Sequence, residues 1–456
     1  MNAVIGVDLG SNSARAVAID PSGKVLGAAT GAYPGAGGWP AGRADPRAWL
    51  AGVVEAVTAL GERITGRPEA ICVGGQSPTT VPVGGGLAVT CRHPAGVTGS
   101  PVEQHHAQRA LLGPDAEPRQ VYDWLMARLG AGERQSRWPG DPSLEGYGRR
   151  AATGEVIGLT DGGRGLAEVF GARGGRGGYP SPGPGEGYGL PAGVPLVAGA
   201  QDAYLAFWAG GIDTPGRALD PGGRTGGLAV AVASSAAHGD LYTLAGPARG
   251  VDIVGGPVSS HGLMLEWLTM VTGRPVPELL ELAGAVPHGA DGVIVLPYLE
   301  GERAPRWNRR LRAEIVGLGS GCGPGHLARA VLEGAAYGLR SIADSLPVPL
   351  DVLVCAGSPA RSPLWCQIKA DVLEVPVEIP AETDLAAYGA ALGAGAGAGW
   401  WPPPGAAPGG SWPRPPVTVV EPAPRSVYRE TYRRFVSLGD AAELRMTDKE
   451  SLCPTP

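Results

Sequence analysis

Four short segments hold the residues whose types and spacing can do chemistry. The first, DLGSNSARAVAID (residues 8–20), puts an Asp at the end of a β-branched run, then a turn of Gly and small polar residues, then a second apolar run. Such a turn presents backbone N–H groups and hydroxyls to an anion, Asp8 can hold magnesium through water, and Arg15 can add positive charge. Taken alone, the segment reads equally well as a surface hairpin with a satisfied turn. The second, GAQDAYLAFWAGGIDTPGRALDPGGRTGGLAVAV (199–232), places Asp202 where a strand end enters a helix. There a carboxylate can accept a hydroxyl proton or simply cap the helix, and the Gly-rich turn that follows can approach phosphates closely because it lacks side chains. The third, LPYLEGERAPRWNRRLRAEIVGL (296–318), is an apolar strand entering a charged loop, and it reads as scaffold held by Glu302 and Arg303 pairing with neighbours. The fourth, VCAGSPARSPLWCQIKADVLEVPVEIP (354–380), runs strand, Gly-containing turn, helix, strand. Its turn lies at the C-terminal end of a strand, where ligands gather in open α/β sheets.

The elements that must position these segments follow from periodicity. Ala3–Val7, Ala14–Ile19 and Lys24–Ala29 read as three strands, and Asp45-Pro46 starts a helix whose Trp49, Leu50, Val53, Val54, Val57, Leu60 and Ile64 recur near a 3.6 period. Ala70–Gly74 returns to strand. Strand, strand, strand, helix, strand is the order of a ribonuclease-H-like domain, and of other mixed sheets. A helix is expected around Gln120–Leu129 and strands at Pro195–Ala198, Leu228–Val232 and Val251–Gly255. Helices follow at Leu263–Val271, His326–Leu346, Leu364–Leu373 and Leu385–Gly397, with strands at Gly292–Leu296, Val352–Ala356 and Val375–Ile379. A chain of 456 residues favours two or three domains, with two as the working number.

Composition narrows the function classes. A hydrophobic share of 43% and a net charge of −6 imply a packed protein with no electrostatic case for nucleic acid. The 76 Gly and 45 Pro are unevenly spread and densest in Gly171–Gly189 and Trp401–Pro416, which read as loops. Six scattered cysteines form no CxxC pair, so neither a zinc site nor a disulfide framework is expected. MNAVIGVDLG enters a strand without the pattern of a signal peptide, and no run of about 18 apolar residues occurs. A cytoplasmic protein without membrane contact is the expectation.

Taken together and in this order, the four segments resemble the FGGY carbohydrate kinases, the family of xylulokinase, glycerol kinase and gluconate kinase. The resemblance runs from Val4 to about Gly397 and is weak only between residues 79 and 190; its strongest stretches are PYLEGERAPRW with HLARAVLEGAAYGLR, and ARSPLWCQIKADVLEVPV with ETDLAAYGAALGA. It implies an α/β fold of two ribonuclease-H-like (actin-like ATPase) domains with a nucleotide and sugar cleft between them. The division expected is residues 1–230 for sugar, phosphate and the base, 231–440 for nucleotide, and a polar tail at 441–456. The activity implied is ATP-dependent phosphorylation of a hydroxyl on a small sugar or polyol, with magnesium and with a homodimer allowed. By the same resemblance Asp8 is the metal residue, and Gly10, Ser11, Asn12 and Arg15 bind phosphate. Asp202 is the catalytic base, with Gly199 and Gln201 in its turn, and Gln76 and Ser77 begin the sugar site.

The chain departs from the family pattern in three places. The phosphate turn reads Gly223-Arg224-Thr225-Gly226, with a bulky cation where a small hydroxyl residue is usual, so Arg224 either clamps a phosphate or obstructs it. The adenosine turn reads Gly357-Ser358-Pro359-Ala360, and Pro359 removes an N–H and fixes φ. The usual acidic sugar ligand is missing, and Glu103, Gln104 and His105 are the nearest polar replacements. The same Glu-Gln-His-His run reads first as a solvated helix face and only distantly as a metal site, since adjacent histidines point different ways on a helix. Arg224 and Pro359 also suit a degenerate kinase kept as a nucleotide- or sugar-binding regulator, a reading that Asp8 and Asp202 together oppose. A dinucleotide enzyme using Gly183–Gly189 lacks the strand that must precede such a loop.

Overall fold

The computed structural model describes residues 2–35, 39–83, 86–90, 101–112, 118–131, 135–137, 150–153, 155–161, 192–234, 241–406, 409–423 and 425–449. Two compact units emerge, one of Met1–Asp213, Ala245–Gly250 and Asp384–Pro415, the other of Thr214–Leu244, Val251–Thr383 and Pro416–Pro456. The division read near residue 230 falls inside strand Gly227–Ala233 of the second unit.

The first unit is built on a six-stranded sheet ordered Val156–Leu159, Pro195–Val197, Ile71–Gly75, β1 (Val4–Leu9), β2 (Ser13–Ile19) and β3 (Val25–Ala32). β1 pairs antiparallel with β2 and parallel with Ile71–Gly75, so every β1 residue is buried and the run reads VIGVDL without polar alternation. Helix α1 (Pro46–Gly61) begins as its sequence signals, with the Asp45 side chain accepting the Arg47 N–H and Pro46 in the first turn. Its Trp49, Leu50, Val53, Val57 and Leu60 join the core beneath the sheet. Helix Leu385–Gly397 covers the other side, and its small residues allow a close approach. A Cβ at Gly6 of β1 would lie 2.0 Å from the Ala391 nitrogen, so no larger residue fits there. The helix expected at Gln120–Leu129 is Val121–Met126, followed by a widened turn over Ala127–Ala131 where Gly130 leaves helical geometry at φ 121°.

The second unit carries a seven-stranded sheet ordered Tyr242–Ala245, Val251–Pro257, Gly227–Ala233, Arg217–Asp220, Val352–Cys355, Val377–Pro380 and Val417–Val420. Helix Pro324–Ala343 is buried all round from Ala328 to Leu339; of the stripe expected at Leu327, Val331, Ala335, Leu339 and Ile342, the last four are buried and Leu327 is partly so. Several elements escape sequence reading, among them helix Val276–Gly284 and strands Tyr242–Ala245 and Val417–Val420, and two of them matter most here. Arg217–Asp220 is a central strand whose Arg and Asp disguise it as part of the Gly-rich turn, and Ser426–Lys449 is a helix that runs into the tail expected from residue 441. The loop after Leu299 is held in another way than read: Glu302 accepts the adjacent Arg303 backbone N–H at 3.0 Å, and Arg306 forms ion pairs with Asp440 and Glu443. Gly171–Gly189, Cys91 and Cys453 lie outside the described residues, and Cys72, Cys322, Cys355 and Cys366 are free thiols. Among the described residues no helix is long and apolar enough to cross a membrane.

Candidate active site

The first unit gathers an acidic site at the ends of its central strands. Asp8 is the fifth residue of β1 and lies directly opposite Arg15 of β2, so the hairpin register sets the pair, Arg15 Nη1 standing 3.8 Å from Asp8 Oδ2. Arg15 also reaches Asp384, Nε to Oδ1 at 3.4 Å, where that residue opens helix Leu385–Gly397. Ser11 and Asn12 form the exposed tip of the turn. Gly10 sits between them and the carboxylate, where a Cβ would come within 3.7 Å of both Asp8 Oδ2 and Arg15 Nη1. From the end of β3, the Tyr33 hydroxyl donates to the Gly10 carbonyl at 3.0 Å and braces the turn.

Asp202 is brought to the same site by a strand-to-helix turn. Strand Pro195–Val197 ends, Gly199 packs against the Val73 carbonyl, Gln201 bridges to Gly75, and Asp202 opens helix Asp202–Ala209. Its Oδ1 accepts the Ala203 N–H at 2.7 Å. Burial, then the nearby charge of Asp8, push the Asp202 carboxyl up to about 7, against the pull of the Ala203 N–H and Arg15. Burial likewise lifts Asp8 to about 6, with Arg15 opposing and Asp384 reinforcing the shift. Three carboxylates thus face one guanidinium, and Asp8 Oδ1 is buried without a hydrogen-bond partner among the described residues. That surplus of charge and the orphaned oxygen fit a divalent cation. No group of three or more metal-ligating side chains occurs among the described residues, so the fit is to a hydrated ion such as magnesium, bound chiefly by water and phosphate.

Beside this site Gln76 and Gln201 are buried, and the Ser77 hydroxyl donates to Gln120 Oε1 at 3.3 Å, which ties Ser77 to the neighbouring strand rather than leaving it at a tip. Glu103, Gln104 and His105 occupy helix Pro101–Leu112, but their side chains lie outside the described residues. Gln108 of that helix joins Thr80 Oγ1, which donates to it, to the Pro78 carbonyl, which it donates to, both at 2.7 Å.

The second unit holds the two glycine turns. Gly223 and Thr225 are exposed, and the carbonyls of Gly223 and Arg224 accept N–H groups from Gly262 and Leu263 at the start of helix Gly262–Thr272. Arg224 points along that helix, its Nε 2.8 Å from Glu266 Oε2. Gly226 is at φ +67°, and a Cβ there would strike the His261 ring at 2.6 Å. In the other turn Gly357 (φ +67°) donates to the Thr383 carbonyl at 3.0 Å, Ser358 is exposed, and Pro359 and Ala360 are buried. Pro359 packs on Gly222, where an added Cβ would lie 2.7 Å from its Cδ.

Sequence reasoning passed over Tyr33, Asp384, Asp220, His261 and Lys369. Asp384 carries a signal, an Asp immediately before the apolar run LAAYGAAL. Lys369 carries one too, falling on the apolar face of its helix four residues from both Trp365 and Leu373.

Known proteins resemble parts of this chain. Residues 245–398 match the FGGY family of carbohydrate kinases, C-terminal domain. The gluconokinase of Bacillus subtilis is 33% identical over 138 residues, 27% of each chain, and the glycerol kinase of Gloeobacter violaceus is 34% identical over 197 residues, 41% of this chain and 39% of its own. The aligned part of this chain therefore spans about a quarter to two fifths of the length of these curated relatives. A xylulose kinase structure from Brucella ovis superposes with a TM-score of 0.74 over 97% of this chain and all of its own, at 21% identity. At that identity the likeness carries the fold alone, a mixed α/β fold in two units, in keeping with the α/β fold expected above.

Proposed function

From the FGGY carbohydrate kinase C-terminal domain that residues 245–398 carry, we propose that this chain is an ATP-dependent kinase that phosphorylates a hydroxyl of a small sugar or polyol. The observation that carries the reading is Asp202, a carboxylate at a helix start whose burial and acidic neighbour raise it to about 7, where a base is poised to take a proton at neutral pH.

In this reading the substrate hydroxyl donates to Asp202, its oxygen forms a bond to the γ-phosphorus, the bond from that phosphorus to the β,γ-bridging oxygen breaks, and ADP leaves while the proton rests on Asp202. The transition state is loose, so positioning and charge neutralisation dominate the work of the site. Arg15 and the turn Gly10–Asn12 hold phosphate oxygens, and Tyr33 keeps that turn in place through the Gly10 carbonyl. Asp8 is the residue that would hold a magnesium ion, which when bound offsets the charge of the triphosphate. Gln76, Ser77, Gln201 and the Glu103–His105 segment orient the sugar. Gly223–Gly226 and Gly357–Ala360 receive the nucleotide. The scattered free thiols suit a cytoplasmic protein, and light scattering would decide whether it is a homodimer.

ADP production measured over a panel of pentuloses, hexuloses and polyols tests the activity. Asp202→Asn is expected to lower kcat by about 10²-fold or more while ADP still binds, and near-wild-type turnover would remove Asp202 from the role of base. The regulator reading draws on Arg224 lying against Glu266 rather than over its turn. It would be supported by a chain that binds ADP and phosphorylates nothing in the panel.

A further inference from the structure

Beneath the two glycine turns of the second unit lies a polar cluster cut off from water, and the chemistry above makes no use of it. Asp220, His261 and Lys369 are each 0% exposed. Asp220 ends strand Arg217–Asp220 in register with Cys355, the last residue of strand Val352–Cys355, so it stands where both turns begin. Each of its acceptors is engaged with a different partner. Oδ1 accepts the Gly222 N–H at 2.9 Å, inside the phosphate turn. The main-chain oxygen accepts the Ala356 N–H at 2.9 Å, at the mouth of the adenosine turn. Oδ2 accepts Lys369 Nζ at 2.5 Å from helix Pro363–Leu373.

The cation is itself enclosed. Lys369 Nζ lies 3.2 Å from Cys355 Sγ and 4.9 Å from the centroid of the Trp365 ring, while His261 stacks on that ring at 4.7 Å and approaches Asp220 Oδ2 to 3.6 Å. Burial works to raise the Asp220 carboxyl, but the Lys369 ammonium, aided by the Gly222 N–H, outweighs it and keeps it below its ordinary range. Burial holds His261 down to about 4, so its ring is neutral and the cluster is an ion pair with a packed imidazole. The turns touch directly above it: a Cβ on Gly357 would lie 2.8 Å from the Pro221 carbonyl, and one on Gly222 would lie 2.4 Å from the Ala356 carbonyl. Neither turn can shift without disturbing the other or a hydrogen bond to Asp220.

A buried ion pair is a poor source of stability, since apolar residues of similar size often hold a core as well. What it does supply here is one fixed carboxylate orientation shared by two loops. We propose that Asp220, clamped by Lys369, is a positioning residue that couples the phosphate turn to the adenosine turn, so that nucleotide affinity depends on an ion pair no ligand can reach. The proposal rests on the reading that both turns bind nucleotide.

ADP titration calorimetry on the full chain tests it. Lys369→Met alone strands a buried carboxylate and is expected to unfold the unit, so the informative variant is the neutral pair Asp220→Asn with Lys369→Met, which keeps an acceptor for the Gly222 N–H. That double variant is expected to fold with a sharp thermal transition and to bind ADP about tenfold or more weakly than wild type, with the KM for ATP raised and the KM for the sugar unchanged. ADP affinity within about twofold of wild type overturns the coupling, as does an equal loss in both KM values, the mark of general loosening. Wild-type chain that binds no ADP would instead defeat the nucleotide reading itself.

The wild-type chain supplies a second arm through hydrogen exchange with adenosine, which has no phosphate. Coupling predicts added protection at both 220–226 and 357–361. Protection confined to 357–361, or a double variant that protects both segments as wild type does, overturns the proposal.

Discussion

Replacing Glu302 by Gln is expected to stabilise the second unit at alkaline pH and to change little in mild acid. Glu302 is 3% exposed, and burial, set against the Arg303 N–H and the charges of Arg306 and Arg303, lifts its carboxyl from 4.5 to about 8. The folded state therefore keeps a proton that the unfolded chain releases between those two values. Its contribution is fully present below 4.5 and is lost as the pH rises through 8. Each unit of displacement is worth about 1.4 kcal/mol, so ionising Glu302 in place costs at most about 5 kcal/mol, and loop relaxation with water entry brings this to about 2–3 kcal/mol. Gln keeps the oxygen that accepts the Arg303 N–H at 3.0 Å and never ionises. Urea unfolding followed by circular dichroism at about pH 5 and about pH 8.5 reads the difference directly. The variant should gain about 2 kcal/mol at the higher pH and under about 0.5 at the lower. A loss of stability at the higher pH, or the same shift at both, would show that the carboxylate has partners that make its charge welcome.

Two further outcomes concern ligands. Arg224→Ala is expected to raise the KM for ATP about tenfold, because a charge-assisted hydrogen bond to phosphate contributes about 1.5–3 kcal/mol, while Glu266→Gln frees the guanidinium and lowers that KM. Faster turnover by both Arg224→Ala and Arg224→Thr would identify Arg224 as an obstruction. Alanine at Glu103 and at His105 should each raise the KM for the best sugar by about five- to tenfold, at about a kcal/mol per lost hydrogen bond, and should leave sugar-independent ATP hydrolysis as it was. Unchanged sugar kinetics in both would remove that helix from the sugar site.

The parts of the chain legible from sequence are those where local pattern and burial agree. The β1–β2 hairpin, helix α1 with its Asp45 cap, and helix Pro324–Ala343 carry their patterns openly because the strands lie within a sheet and the larger apolar residues of each helix recur at helical spacing. Asp8 and Asp202 stand out in the sequence for a different reason: Asp8 lies one residue before the end of β1, and Asp202 opens a helix just after strand Pro195–Val197, each close to glycines in an arrangement that suits bound phosphate or a base. Strand Arg217–Asp220 was not, since it is four residues long and finds its place only between Gly227–Ala233 and Val352–Cys355. The same holds for the Asp220–Lys369 pair, whose members are 149 residues apart. Nothing local marks a lysine as inward-facing except its place on an apolar stripe, and that signal is weak because long side chains usually reach back to water.

The way the chain is shared between the units bears on how it can be cut. It passes from one unit to the other after Asp213, Leu244, Gly250, Thr383 and Pro415, so neither unit is a continuous stretch. The segment matched to the family, 245–398, begins after strands Arg217–Asp220 and Gly227–Ala233, which sit at the middle of the second unit's sheet, and it ends with a helix whose glycine and alanine face was shaped by β1. Expressed alone, it would expose an unpaired edge on Val352–Cys355 and a bare small-residue helix, and aggregation is the expected result. The stretch that sequence comparison matches is therefore not expected to fold by itself, and its boundaries are poor places for a cloning junction.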